Sequence, residues 1–221
     1  MHALRQILGI VALLGATALQ AGTITYEADV NGLNAPAGVT FSGGDDIPFV
    51  GVSYWGSTFL GFKSRDDDTG LEIRLNQSLT LTFATPQIFD YLTLGLLFDG
   101  DEYDDNQERA GAYVNGTSLP FILTAIGETA ADWSFSGATV LNLSPASSSA
   151  DGVWKVTNPF GNLAISSLRL SPLSARIPNK SESDFGLIAF RSRNVPDAAS
   201  SGALFAMALT LLAVAASRRK P

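Results

Sequence analysis

Short runs in which apolar and polar residues alternate, separated by turn-forming residues, constrain the fold of this chain most strongly. In residues 78–83, three large apolar residues alternate with threonines, and Leu71–Leu75 alternates in the same way. This period of two places the apolar side chains on one face of a strand. Tyr91–Phe98 is apolar almost throughout, which favours a central strand covered on both faces. We therefore predict an all-β domain of about ten to thirteen strands, an antiparallel β-sandwich of jelly-roll type. A closed barrel and a small Ig-like pair are the alternatives.

Turn-forming residues predict where this domain changes direction. Asn115-Gly116 and Asp151-Gly152 are typical of hairpin turns, because Asn or Asp followed by Gly accepts positive φ angles. The spacing of apolar residues before Leu170 predicts a β-bulge near Ser166-Ser167. No window of helical length within the domain has a convincing apolar stripe.

Two absences exclude several classes of function. The chain has no cysteine, and its one histidine is His2, which lies in a segment that we expect to be removed. The remaining chain has no thiolate nucleophile, histidine base, disulfide or ordinary zinc site, so Ser-His-Asp and Cys-His mechanisms are excluded. Residues 22–194 contain 20 Asp and Glu residues against 10 Lys and Arg residues. This charge of about −10 repels phosphate backbones and argues against a nucleic-acid partner.

The N-terminus has the organisation of a secretory signal peptide. Arg5 provides a short positive region, and Ile7–Ala18 is an apolar run too short to span a bilayer comfortably. Small residues follow, and cleavage after Ala18 or after Ala21 fits the pattern. We assign residues 1–21 to a signal helix and residues 22–194 to the exported β-sandwich passenger domain.

The C-terminus, residues 195–221, combines a short motif, an apolar stretch and a basic end. The apolar stretch Ala203–Ala216 is marginal for a transmembrane helix, since the hydrocarbon core is about 30 Å thick. Cationic flanks stay on the cytoplasmic side, so the passenger would lie outside the inner membrane. The motif consists of Val195, Pro196 and Asp197, and the membrane stop consists of Arg218, Arg219 and Lys220.

This three-part arrangement resembles the PEP-CTERM class of sorting signals, and more closely its VPDSG-CTERM variant. The chain departs from the variant at Ala198-Ala199, where the variant has Ser-Gly. Asp184–Ile188 is also similar to stretches in other passengers of this class, which have no activity to carry over. The resemblance implies export by the Sec machinery in a Gram-negative bacterium that makes exopolysaccharide. It implies transient anchoring in the inner membrane, cleavage by an exosortase-type protease, and release to the envelope, surface or matrix. A permanent single-span anchor is the alternative.

The acidic run 99–108 is the strongest candidate for a metal site. It holds six carboxylates within ten residues, and Ca²⁺ prefers six to eight hard oxygen ligands. The run is not an EF-hand loop, because Asp104 stands where the sixth-position Gly is required and Ala110 stands where the twelfth-position Glu is required. A solvated loop without metal is the alternative. The candidate calcium ligands are Asp99, Asp101, Glu102, Asp104, Asp105 and Glu108.

Aromatic residues provide a second candidate site. Tyr54 and Trp55 are adjacent in sequence, so their side chains point to opposite faces of a strand and one of them is expected to be exposed. They could form a platform on which a sugar stacks. Trp133 and Trp154 instead fit alternating strands, and we expect their rings to fill the core.

These observations favour a non-enzymatic surface or matrix protein that adheres or associates with polysaccharide. One alternative is a calcium-dependent carbohydrate-binding module. Another is a glycan hydrolase or lyase, which needs two carboxyl groups across a sugar cleft. Asp90, Glu128 and Asp132 lie near aromatic or apolar residues and are candidates for such a pair.

Overall fold

The computed structural model describes residues 22–43, 48–51, 57–62, 72–98, 107–127, 129–144, 152–173 and 184–195. Thr23–Arg193 forms one compact unit. The described residues form twelve strands and one four-residue helix. These elements are β1 (Thr23–Glu27), α1 (Ala28–Asn31), β2 (Val39–Gly43), β3 (Pro48–Val50), β4 (Leu60–Phe62), β5 (Leu79–Gly95), β6 (Arg109–Val114), β7 (Phe121–Gly127), β8 (Ala130–Trp133), β9 (Thr139–Asn142), β10 (Trp154–Thr157), β11 (Ile165–Pro172) and β12 (Gly186–Asn194).

The strands form one curled antiparallel sheet, which confirms the predicted all-β class. Its main order is β3-β4-β12-β5-β11-β6-β7-β8, with β1 added to β12, β2 and β10 to β5, and β9 to β10. The predicted flanking helices, in residues 1–21 and 195–221, lie almost wholly outside the described residues. Within the described part of the chain, no helix is long and apolar enough to cross a membrane.

β5 organises the sheet because its two parts pair with different strands. Its first part, Leu79–Phe83, pairs with β2 on one side and β11 on the other. Its last part, Tyr91–Leu94, pairs with β10, and β12 is its other neighbour. The alternation predicted from the sequence is confirmed in the first part, where the apolar side chains are buried and the threonines are more exposed. The apolar run at the end of β5 is buried from residue 92 to residue 97, as expected for a covered strand.

The register between β5 and β11 is irregular where the sequence predicts a bulge. Ile165 lies opposite Gln87, but Ser167 lies opposite Thr82, so a single β11 residue faces four residues of β5. The bulge is therefore confirmed in position, and its extra residues belong to β5. This bulge separates the two parts of β5.

Asn115 fastens the β6–β7 turn to the irregular start of β11. Asn115 and Gly116 both have positive φ angles, 52° and 73°, as in a type I′ turn. The Asn115 Nδ2 donates to the Ala164 carbonyl at 2.8 Å, and its Oδ1 accepts from the Ser166 and Ser167 N–H groups at 2.8 and 3.3 Å. The side chain thus supplies hydrogen bonds that the bulge removes from the ladder.

Another local prediction is wrong. Within Leu71–Leu75, the described residues 72–75 do not form a strand: Ile73 makes one isolated bridge to Phe185, and a turn follows at Asn76, whose φ is 73°. Of the predicted Asp151-Gly152 turn, Asp151 lies outside the described residues, and Gly152 lies in the connection between Asn142 of β9 and Trp154 of β10.

The core lies between the inward faces of the strands and is rich in aromatic rings. Tyr26, Phe89 and Phe190 are fully or almost fully buried. The ring centroids of Tyr26 and Phe89 lie 5.6 and 5.7 Å from the ring centroid of Phe190. Burying one such side chain contributes roughly 1.5–3 kcal/mol. A core of this kind stabilises a domain whose sequence contains no cysteine and therefore no disulfide.

Candidate functional site

The two ends of the acidic run are joined by direct contacts between Phe98, which follows β5, and Glu108, which precedes β6. The Glu108 N–H donates to the Phe98 carbonyl at 3.3 Å, and the Phe98 N–H donates to the Glu108 Oε2 at 2.5 Å. The Glu108 carbonyl also accepts from the N–H of Ala125 in β7. Glu108 therefore anchors the run to the sheet through both its backbone and its carboxylate.

A second set of contacts fixes the chain just before the acidic run. The Leu97 carbonyl accepts from the Trp154 Nε1 at 2.8 Å, and the Leu97 N–H donates to the Gly152 carbonyl at 3.2 Å. A Cβ atom added at Gly152 would lie 2.2 Å from the Leu97 oxygen, so only glycine fits this approach. Leu96, beside them, has a φ of 66°. The end of β5 and the start of β10 are thus locked together.

Of the six predicted calcium ligands, only Glu108 belongs to the described residues, and its carboxylate has the structural bond just given. Asp99, Asp101, Glu102, Asp104 and Asp105 lie outside the described residues. Among the described residues, no group of three or more Asp, Glu, His or Cys side chains could hold a metal ion. The calcium site remains a prediction.

The contacts at the base of the acidic run extend into a continuous series along one end of the sheet, which we call the acidic pole. Gly43 pairs with Leu79, Leu79 with Leu170, and Pro172 with Ala110. The Leu173 N–H donates to the Arg109 carbonyl at 2.9 Å, which brings the series to Glu108 and Phe98. The acidic pole is defined by Gly43, Phe62, Leu79, Phe98, Glu108, Gly152, Leu173 and Phe185.

Residues at or next to this pole flank five segments that lie outside the described residues, namely 44–47, 63–71, 99–106, 145–151 and 174–183. These segments contain 12 of the 20 acidic residues between residues 22 and 194, but only 4 of the 10 basic residues. The topology thus starts and ends most of the acidic segments at one end of the sheet. Each acidic run is visible by itself in the sequence, whereas the position of its flanking residues at one pole depends on strand order, which no local pattern reveals.

The opposite end of the sheet carries both ends of the compact unit, and we call it the terminal pole. Thr23 pairs with Arg193, the last residue of the unit. The Arg193 Nε lies 3.3 Å from Asp90 Oδ1, and the Arg191 Nε lies 3.4 Å from Asp90 Oδ2. The Asp90 carbonyl accepts from the Asn158 N–H at 2.8 Å. The terminal pole is defined by Thr23, Asp90, Arg193, the turn 115–120 and the loop 158–164.

The sorting motif begins directly after this pole. Val195 is partly buried and is the last described residue, whereas Pro196 and Asp197 lie outside the described residues. Arg218, Arg219 and Lys220 also lie outside them. The motif and the membrane stop remain predictions.

Of the four aromatic candidates, two lie in the core and two lie outside the described residues. Trp133 and Trp154 are buried, as predicted, and their Nε1 atoms donate to backbone carbonyls at 2.7 and 2.8 Å. Tyr54 and Trp55 lie outside the described residues, so the sugar platform is untested.

Two tyrosines that the sequence analysis did not single out lie on polar faces of the sheet. The Lys155 ammonium lies 4.0 Å from the Tyr91 ring centroid, and the Arg169 guanidinium lies 3.8 Å from the Tyr113 ring centroid. Burial raises the pKa of the Tyr91 hydroxyl, and the neighbouring Glu27 carboxylate adds to this increase. Both tyrosines are only partly buried, on strands in which most residues are buried, and no alternation in the sequence marks them out.

The residues proposed as a hydrolytic carboxylate pair are not brought together among the described residues. Asp90 forms ion pairs with two arginines, and Asp132 is exposed on β8. Glu128 lies outside the described residues.

Comparison with protein-family models, with curated proteins and with solved structures gives no match to this chain.

Proposed function

We propose that this chain is an exported passenger protein that a C-terminal sorting signal delivers to the cell surface or extracellular matrix. The observation that carries the proposal is the pairing of β1 with β12, which brings Thr23 beside Arg193. A domain with adjacent ends can fold while both appended segments are held at one site. The apolar segments in residues 1–21 and 203–216 then act as a signal peptide and a membrane anchor.

In this proposal the Sec machinery exports the chain, and an exosortase-type protease cleaves near Val195, Pro196 and Asp197. Arg218, Arg219 and Lys220 hold the tail on the cytoplasmic side until cleavage. The released passenger adheres to the envelope or to exopolysaccharide and has no enzymatic role. We further propose that the curled sheet closes as a two-layer sandwich, because the two parts of β5 pair with different sets of strands.

The test is to express the full chain in a Gram-negative host with and without an exosortase-type protease. Intact mass and cell fractionation follow processing and location. We expect Pro196→Ala and Asp197→Ala to leave an uncleaved, membrane-bound chain, whereas Asp29→Ala, an exposed aspartate on α1, is processed normally. Retention of the whole chain in the cytoplasm would refute export. Normal processing of both motif variants would refute the proposed signal.

A calcium-dependent carbohydrate-binding module is the second candidate. It is favoured by the position of the described residues that flank most of the acidic segments, because they lie at the pole away from the chain ends. In this candidate the run 99–108, ending at the anchored Glu108, holds Ca²⁺. Calcium-dependent retention on immobilised polysaccharide supports it, and retention unaffected by chelator would contradict it.

A further inference from the structure

Two exposed leucines project from neighbouring loops of the terminal pole. Leu119 is 81% exposed on the turn 115–120, and Leu163 is 47% exposed on the loop 158–164. The two loops are joined by the hydrogen bond from Asn115 Nδ2 to the Ala164 carbonyl. The positive-φ turn and this bond hold the loop backbone in place, so the leucines are presented on a defined support. Two exposed leucines on joined loops offer an apolar contact to a partner that lies against this pole.

The length of the connecting chain limits which partner this pole can meet. Eight residues, Val195–Gly202, separate β12 from the apolar segment 203–216. Fully extended, they reach at most about 28 Å. A compact unit of this size is about 40 Å across. If the apolar segment lies in a bilayer, the terminal pole must therefore remain close to the lipid surface, and the acidic pole cannot reach it.

Charge favours the same orientation. Arg191 and Arg193 share one carboxylate, Asp90, at the terminal pole. With Glu27 and Lys155, which lie beside the neighbouring Tyr91, the cluster has three positive and two negative side chains. The loops that carry Leu119 and Leu163 contain no acidic residue. Anionic headgroups attract the arginines and repel the segments that begin at the acidic pole.

We infer that the terminal pole docks on the anionic lipid surface, with Leu119 and Leu163 entering the headgroup region and the acidic pole directed away. This inference rests on the proposed function, since it requires the apolar tail to lie in the membrane. Tethering raises the local concentration of the pole at the bilayer, so a small apolar contact suffices. The acidic pole is thereby presented to the extracellular side.

The absence of cysteine allows a site-specific test. Single variants Leu119→Cys, Leu163→Cys, Leu143→Cys and Leu211→Cys are labelled with an environment-sensitive fluorophore. Each chain is purified from membranes and reconstituted into vesicles of phosphatidylcholine and phosphatidylglycerol in equal amounts. Leu143 is the matched control, because it is 51% exposed and follows β9 near the acidic pole. Leu211 reports insertion of the tail.

We expect a blue shift of the emission, and quenching by lipids with a headgroup-level quencher, at Leu119→Cys and Leu163→Cys but not at Leu143→Cys. A shift at Leu211→Cys without one at the two loop positions overturns the docking and leaves the proposed function standing. An equal shift at Leu143→Cys also overturns it. No shift at Leu211→Cys would overturn both.

Discussion

Replacing Asn115 separates two contributions to the stability of the β6–β7 turn. The side chain makes three hydrogen bonds to the start of β11, and its backbone has a φ of 52°. Asn115→Gly removes the hydrogen bonds but accepts this backbone conformation. Asn115→Ala removes the bonds and also strains the left-handed backbone.

The magnitudes follow from exposure and geometry. Asn115 is exposed, so water competes and each bond contributes near the lower end of the usual range, about 0.5 kcal/mol. We expect Asn115→Gly to lower the free energy of unfolding by about 1.5–2 kcal/mol, including the added freedom of the unfolded chain. Asn115→Ala should lower it by about 1 kcal/mol more, because the left-handed conformation is costly for a residue with a Cβ.

The assay is urea unfolding of residues 22–194, followed by tryptophan fluorescence, since Trp133 and Trp154 are buried. The control is Asn162→Ala, on an exposed turn where the side chain forms no hydrogen bond within the described structure. We expect this control to change the unfolding free energy by less than about 0.5 kcal/mol. Equal losses for Asn115→Gly and Asn115→Ala would refute the backbone argument. A loss no larger than that of the control would refute the hydrogen-bond argument.

Three further predictions concern the acidic pole and the core. Gly152→Ala should destabilise by at least about 2 kcal/mol in the same assay, because its Cβ would meet the Leu97 backbone at 2.2 Å. Gly116→Ala, where a Cβ has open space, should cost only about 1 kcal/mol of backbone strain, and similar losses at both positions would contradict the packing argument. Burial raises the pKa of the Tyr26 hydroxyl, which donates to a loop carbonyl at 3.0 Å, so stability should fall above about pH 10 as only the unfolded tyrosine ionises. Tyr26→Phe should cost about 1 kcal/mol at neutral pH and weaken this alkaline fall, and an unchanged pH profile would contradict the assignment. If the acidic run binds calcium, Ca²⁺ should raise the melting temperature of residues 22–194 by several degrees over chelator, and Asp101→Ala should abolish the increase; no increase in the parent domain would make the run a solvated loop.

The sequence predicted β5 well because its alternation reports directly on burial. The first part of β5 has one face in the core, so each apolar residue there corresponds to a buried side chain. The same argument failed for Leu71–Leu75. There the Arg74 N–H donates to the Gln77 Oε1 at 2.8 Å and Asn76 adopts a positive φ, so local side-chain bonding ends the extended conformation.

Two Asx-Gly pairs also show that a local sequence pattern does not by itself predict the role of a glycine. At Asn115-Gly116 both residues turn the chain, as the pair predicts. At Gly152, whose φ is 44°, the missing side chain also permits close approach to Leu97, which is distant in sequence. A glycine alone does not distinguish a turn from a close contact, because both depend on the absence of a Cβ.

The separation of charge between the two poles follows from the order of the strands. In an antiparallel sheet, successive connections alternate between the two ends of the sheet. The bulge within β5 brings the last residues of this strand to the same pole as its first residues. The connections after β2, β4, β5, β9 and β11 therefore all leave from the acidic pole, and they contain most of the acidic residues. The tight loops 115–120 and 158–164, at the terminal pole, contain none. The net charge of about −10 on the domain thus comes mostly from segments that begin and end at one pole, which is the arrangement that the proposed orientation at an anionic membrane requires.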